Sequence, residues 1–131
     1  MATRRIRVLI VDDSAVVRQA LSSLLSSDPA IDVMGTAADP FVAADRIAEE
    51  IPDVITLDIE MPRMDGFEFA KTIKADTQLA HIPIIMITSR TAEKHRNRAR
   101  ELGVDLYLGK PYQEDELLKY LREMLDIQAS V

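Results

Sequence analysis

Residues 6–14 read Ile-Arg-Val-Leu-Ile-Val-Asp-Asp-Ser: a short, nearly unbroken apolar run that ends abruptly on two acids. Apolarity sustained over so few residues suits a strand buried on both faces, the signature of a parallel sheet covered by helices. Working outward, four similar runs follow at Ile31–Met34, Val54–Leu57, Ile84–Ile87 and, more weakly, Leu106–Leu108. Between them the apolar residues fall at helical spacing: Val17, Ala20, Leu21, Leu24 and Leu25; then Ala44, Ile47, Ala48 and Ile51; then Phe67, Ala70 and Ile73; finally Leu117, Leu118, Leu121 and Leu125. Thr91 to Leu102 is mostly charged, with a thin seam of Ala92, Ala99 and Leu102, and reads as a surface helix. Asp39-Pro40 has the form of an N-cap followed by proline at the first helical position. Gly103 stands where a helix ending at Leu102 needs a left-handed residue. Pro52, Pro83 and Pro111 sit at strand edges, where a missing N–H does little harm. Strand–helix alternation five times over predicts an α/β fold with a parallel sheet between two helical layers and right-handed crossovers.

The chain is 131 residues long, which suits a single domain over residues 1–131, with 127–131 expected to fray as a tail. Sixteen Lys+Arg against 22 Asp+Glu leave a net charge of -6, which argues against a partner held by its nucleic-acid backbone. With no cysteine, disulfides, zinc–thiolate sites and thiol nucleophiles are excluded. No apolar run reaches signal-peptide or transmembrane length, so a cytoplasmic protein without a membrane partner is expected.

In open parallel sheets, ligands bind beyond the carboxyl ends of the strands. Asp12, Asp13 and Ser14 follow the first run; Asp58, Ile59 and Glu60 the third; Thr88 and Ser89 the fourth; Gly109, Lys110 and Pro111 the fifth. If those strands are neighbours, three carboxylates, a hydroxyl and an ammonium group converge. Two unit charges roughly 5 Å apart repel by about 3 kcal/mol at an effective dielectric near 20, so the cluster calls for a cation. Oxygen ligands without nearby histidine or cysteine favour Mg2+, with Mn2+ as a substitute, and too few gather for caged Ca2+. Lys110 and Thr88 add a charge and a hydroxyl suited to phosphate oxygens, which describes a phosphoryl-transfer site.

Taken singly these residues have plainer readings. Asp12-Asp13 and Ser14 could simply cap a helix, Lys110 could be solvated, and Thr88 could be a strand-end hydroxyl. Tyr107 fits ordinary half-buried packing, His95 completes a helical seam, and the basic run Arg90, Lys94, Arg96, Arg98 and Arg100 reads as a solvated face or a patch for an acidic partner. Their joint appearance, one group per strand end, outweighs those readings.

Together, Asp12-Asp13, Asp58, Met61-Pro62 through Asp65-Gly66, Thr88 and Lys110-Pro111 resemble the receiver domain of bacterial two-component response regulators, over about Ile6 to Leu125. Up to Gly66 the likeness is to the regulatory domain of chemotaxis methylesterases; from Phe67 on it is to receivers of CheA-type hybrid kinases, as a chimera would show. The resemblance implies a flavodoxin-like, doubly wound five-stranded sheet in the order 2-1-3-4-5. It implies that Asp58 accepts a phosphoryl group from a histidine kinase. Asp13, Asp58 and the backbone carbonyl of Glu60 would then hold Mg2+ directly, and Asp12 would act through water. It further implies that Thr88 and Lys110 bind phosphoryl oxygens, that Thr88 and Tyr107 form the switch, and that the Lys110-Pro111 bond is cis. Glu60 and Arg90 would flank the attack path. A downstream protein partner would read Thr91–Leu102, the fifth strand and Gln113–Leu125, and the protein would be a monomer. No methylesterase catalytic domain follows, so no esterase activity is expected, only self-phosphorylation and its reversal. The rivals are a Mg2+-dependent phosphohydrolase with an aspartate nucleophile, a flavodoxin-like cofactor binder and a receiver that only binds a partner. Two aspartates where a phosphate loop should lie argue against the cofactor binder.

Overall fold

The computed structural model describes residues 5–61 and 64–129, with side chains to Met124. Five strands, β1 (Ile6–Val11), β2 (Ile31–Ala37), β3 (Val54–Leu57), β4 (Ile84–Thr88) and β5 (Leu106–Gly109), alternate with five helices, α1 (Ala15–Ser26), α2 (Pro40–Glu49), α3 (Gly66–Ala75), α4 (Glu93–Glu101) and α5 (Glu114–Ala129). All strand pairs are parallel, and the order is β2-β1-β3-β4-β5. The tail expected from residue 127 is assigned to α5 through Ala129, and residues 130–131 lie outside the described set, as does Pro62.

Alternation along each strand builds two cores. Leu9, Val11, Ile55, Leu57, Ile84 and Met86 face one side, under Ala43 and Ile47 of α2, Phe67, Phe69, Ala70 and Ile73 of α3, and Ala99 of α4. Val8, Ile10, Val54, Ile85, Ile87 and Leu108 face the other, under Leu21 and Leu25 of α1 and Leu117, Leu121 and Met124 of α5. The central strands β3 and β4 are buried throughout, whereas the edge strands β2 and β5 are half-exposed along most of their length.

The helix ends follow their local chemistry. Ser14 Oγ accepts from Val17 N at 3.3 Å, and Asp39 Oδ1 accepts from Phe41 N and Val42 N at 2.8 and 2.9 Å. Gly103 has φ +85°. Two expected stripes are displaced. Ala20 is exposed, and of the expected α2 row Ile47 is buried, beside Pro40 and Ala43, whereas Ala44, Ala48 and Ile51 are exposed, Ile51 to 46%. Ala44, Ala48 and Ile51 instead line a surface groove with Phe69, Ile73 and Leu79 of the α3 side. Alanine fits either side of a helix, so spacing alone could not choose between them.

Thr56, in the middle of β3 between Ile10 and Ile85, is 1% exposed, and its hydroxyl has no hydrogen-bond partner among the described residues. Burying an unpaired hydroxyl is unfavourable. Thr56→Val is therefore expected to stabilise the fold by about 1 kcal/mol, read as a higher urea midpoint at unchanged slope.

Candidate functional site

Register brings the strand ends together. Val11 pairs with Leu57, and Asp58 N donates to Val11 O at 3.0 Å, which sets Asp12 and Asp58 side by side. Thr88 pairs with Gly109, and Lys110 N donates to Thr88 O at 2.8 Å, which starts Lys110 from the neighbouring strand end. The Lys110-Pro111 bond is cis.

One carboxylate oxygen from each of Asp12, Asp13 and Asp58 lies within 4.8 Å of the others. Asp12 and Asp58 are buried and Asp13 is exposed, so the cup has a floor and an open rim. Lys110 Nζ lies 3.0 Å from Asp12 Oδ2 and 3.6 Å from Asp58 Oδ1. Asp12 Oδ1 accepts from Ser14 N at 2.9 Å, and Arg18 Nη1 donates to the Asp12 carbonyl at 2.8 Å, so α1 clamps the acidic turn from both sides. Asp58 Oδ1 also accepts from Ile59 N at 2.9 Å.

The electrostatic balance remains unfavourable to charge. Burial, helped by the charges of Asp12 and Asp13, pushes the Asp58 carboxyl up to about 6, although Lys110 and the Ile59 N–H pull the other way. One ammonium does not neutralise three carboxylates. A donor set made wholly of oxygens, with this surplus of negative charge, fits a hard divalent cation.

Glu60 and Arg90 meet across the mouth of the cup, with Nε to Oε1 at 2.7 Å, and the arginine holds the Glu60 carboxyl below the usual carboxylate range. Asp13, Ile59, Glu60, Met61, Asp65 and Arg90 line an open cleft of about 520 Å3 there. Thr88 is fully buried, and its Oγ1 accepts from Arg90 N at 3.1 Å. The half-buried Tyr107 donates its hydroxyl to the Arg90 carbonyl, and the Arg96 guanidinium lies 5.0 Å from the Tyr107 ring centre.

Asp12, Asp13, Asp58 and Lys110 thus converge at one end of the sheet, while Thr88 and Tyr107 are tied to each other through the backbone of Arg90. The basic run differs from a plain solvated face: Lys94 is exposed, but Arg90 pairs with Glu60, Arg96 covers Tyr107, and Arg98 lies 4.6 Å from the Phe67 ring centre. His95 does fill the seam, stacked on Phe67 at 6.2 Å. The reading of the sequence gave no part to Arg18 or to the pairing of Asp28 with Arg122 (2.7 Å). Neither follows a spacing rule, because long cations reach distant partners.

Residues 8–122 match the response regulator receiver domain, and the chain belongs to that family. Its relatives are of the chemotaxis type. It is 50% identical over 110 residues to protein-glutamate methylesterase/protein-glutamine glutaminase 3 of Geobacter metallireducens, covering 82% of this chain and 30% of that protein. It is 58% identical over 93 residues to a methylesterase/glutaminase of Rhodopseudomonas palustris, covering 71% and 25%. The chain therefore spans less than a third of the length of these relatives. Among solved structures, the response regulator domain of Thermotoga maritima CheB superposes with a TM-score of 0.82 at 36% identity, covering 94% of this chain and 98% of that one. Vibrio cholerae CheY4 gives 0.81 at 34%, covering 92% and 98%. Alignments of 93 and 110 residues extend past Gly66, so the likeness to methylesterases continues into the second half. Among the described residues no helix is long and apolar enough to cross a membrane.

Proposed function

We propose that this single receiver domain takes a phosphoryl group from a histidine kinase onto Asp58 and passes the change to a protein partner at α4, β5 and α5. What carries the reading is the convergence of three carboxylates within 4.8 Å with the Lys110 ammonium 3.0 Å from Asp12. Asp13, Asp58 and the Glu60 backbone carbonyl would hold Mg2+, or Mn2+ in its place, directly, and Asp12 would hold it through water. That ion supplies charge neutralisation and alignment of the phosphoryl oxygens.

The residues of the chain do the rest. An Asp58 carboxylate oxygen attacks phosphorus, and a P–O bond forms as the P–N bond of a phosphohistidine breaks. The bonding pair leaves with the imidazole, which takes a proton from solvent. With acetyl phosphate the bond broken is P–O and acetate leaves. Lys110 and the Thr88 hydroxyl bind the transferred oxygens better than the bare carboxylate, which draws both inward. Tyr107, bonded to the carbonyl of Arg90, is the aromatic that registers this movement. A bias of about 1–3 kcal/mol is the scale available to such a switch. Water later cleaves the acyl phosphate, so these residues catalyse only their own phosphorylation and its reversal. A cytoplasmic monomer acting through its kinase and partner completes the reading.

The test is intact mass after acetyl phosphate, with Mg2+ and with chelator. One phosphoryl group per chain with Mg2+, and a small fraction of that without, is the expected result. No uptake, or repeated turnover of a phosphate monoester, would replace the receiver reading with an inert domain or a phosphohydrolase.

A further inference from the structure

Asp13 is held differently from the other two carboxylates of the cup. Asp12 Oδ1 accepts from Ser14 N, Asp58 Oδ1 accepts from Ile59 N, and both carboxylates face Lys110 Nζ. The exposed Asp13 carboxylate has no hydrogen bond or ion pair among the described residues, so its direction is set by the backbone that carries it. The peptide group joining Asp12 to Asp13 is gripped at its carbonyl by Arg18 Nη1, at 2.8 Å. Arg18 is half-buried in the first turn of α1, and that carbonyl is the only hydrogen-bond partner of its side chain among the described residues. Beyond it lies an open recess of about 290 Å3 walled by Ala15, Gln19, Ser22, Ser23 and Thr36, without an acid to bind the guanidinium. Nor is Arg18 the counterion of the acceptor: the charges that act on Asp58 are those of Asp12, Lys110 and Asp13. A guanidinium spent on a neutral carbonyl beside three carboxylates orients that carbonyl more than it neutralises charge.

We infer that Arg18 is a positioning residue for the cation: by fixing the Asp12–Asp13 peptide it sets the direction in which Asp13 leaves the backbone, and aims that carboxylate into the cup before the ion arrives. Arranging an exposed ligand in advance lowers the ordering cost that binding would otherwise carry. Groups that orient a metal ligand act on affinity without touching the metal. Charge alone predicts the opposite sign, because removing a positive group near a cation site strengthens attraction there. This inference rests on the reading of the cup as a Mg2+ site with Asp13 as a direct ligand.

The experiment titrates wild type, Arg18→Gln and Arg18→Lys with Mg2+, followed by amide chemical shifts, beside urea denaturation in chelator. Glutamine loses both the charge and the reach to the carbonyl; lysine keeps the charge, but its stem ends short of the position of Nη1. Mg2+ should bind about tenfold more weakly to Arg18→Gln and about threefold more weakly to Arg18→Lys. A role in folding alone would lower the urea midpoint in chelator and leave the Mg2+ affinity of the folded protein unchanged. Should Arg18→Gln fail to fold, Arg18→Lys carries the comparison. A folded variant that binds Mg2+ within about twofold of wild type, or more tightly, would overturn the inference. Wild type that shows no Mg2+-dependent shifts would instead be a failure of the Mg2+ reading of the cup.

Discussion

Asp58→Asn is expected to take up no phosphoryl group from acetyl phosphate and to be the more stable protein at neutral pH. The amide has the shape of the carboxylate but neither its charge nor its nucleophilic oxygen, so labelling measured by intact mass should vanish. Labelling that persisted would move the acceptor to another residue. The stability gain follows from the carboxyl's rise from 3.8 to about 6, caused by burial and by the charges of Asp12 and Asp13. Between these two values the folded protein keeps a proton that the unfolded chain has released. Stability therefore falls as pH rises from about 4 to 6 and stays lower above that window. The full rise corresponds to about 3 kcal/mol, and screening through the open rim leaves roughly 2. Urea denaturation in chelator at about pH 4 and about pH 7 should show wild type losing that amount relative to Asp58→Asn; parallel pH profiles would contradict the buried, crowded carboxylate.

Gly66→Ala is expected to be the most damaging small substitution near the site. A Cβ on residue 66 would stand 2.2 Å from the Asp58 carbonyl oxygen and 2.9 Å from Ile59 Cα, both backbone atoms that cannot step aside cheaply. Gly66 N also donates to the Ile59 carbonyl at 2.8 Å, so the start of α3 is pinned to the loop that carries the acceptor. Alanine suits a helix better than glycine by roughly 1 kcal/mol, but overlap of this depth outweighs it. A net loss of about 2–3 kcal/mol in urea denaturation is expected, with weaker Mg2+ binding as the Asp58 loop is displaced. Wild-type stability in this variant would show that the loop and α3 can part without cost.

Much of this was legible in the chain. Strands β1 and β3 have the bounds their apolar runs predict, because central strands must be apolar on both faces. Strand β2 runs three residues beyond Met34, through Gly35, Thr36 and Ala37, which carry no strong strand signal and are held by pairing with Leu9, Ile10 and Val11. Asp12, Asp58, Thr88 and Lys110 could be found because each lies at or just beyond a strand's carboxyl end, where a parallel sheet concentrates its chemistry. The Glu60–Arg90 bridge, 30 residues apart, and Arg122 on Asp28, 94 apart, could not be paired in advance. Charged pairs between distant segments carry no period. Nor could periodicity show that Thr56 lies in a core position without a partner for its hydroxyl.

The strand order β2-β1-β3-β4-β5 also has a bearing on synthesis. Of the five strands, the first three to be synthesised lie side by side with β1 in the middle, so they can pair before the last two exist. By then Asp12, Asp13 and Asp58 have all been made, while Thr88 and Lys110 still await translation. The nascent chain thus gathers its negative charges first and receives their covalently attached counterion last, and any early compensation must come from ions dissolved in the surrounding water.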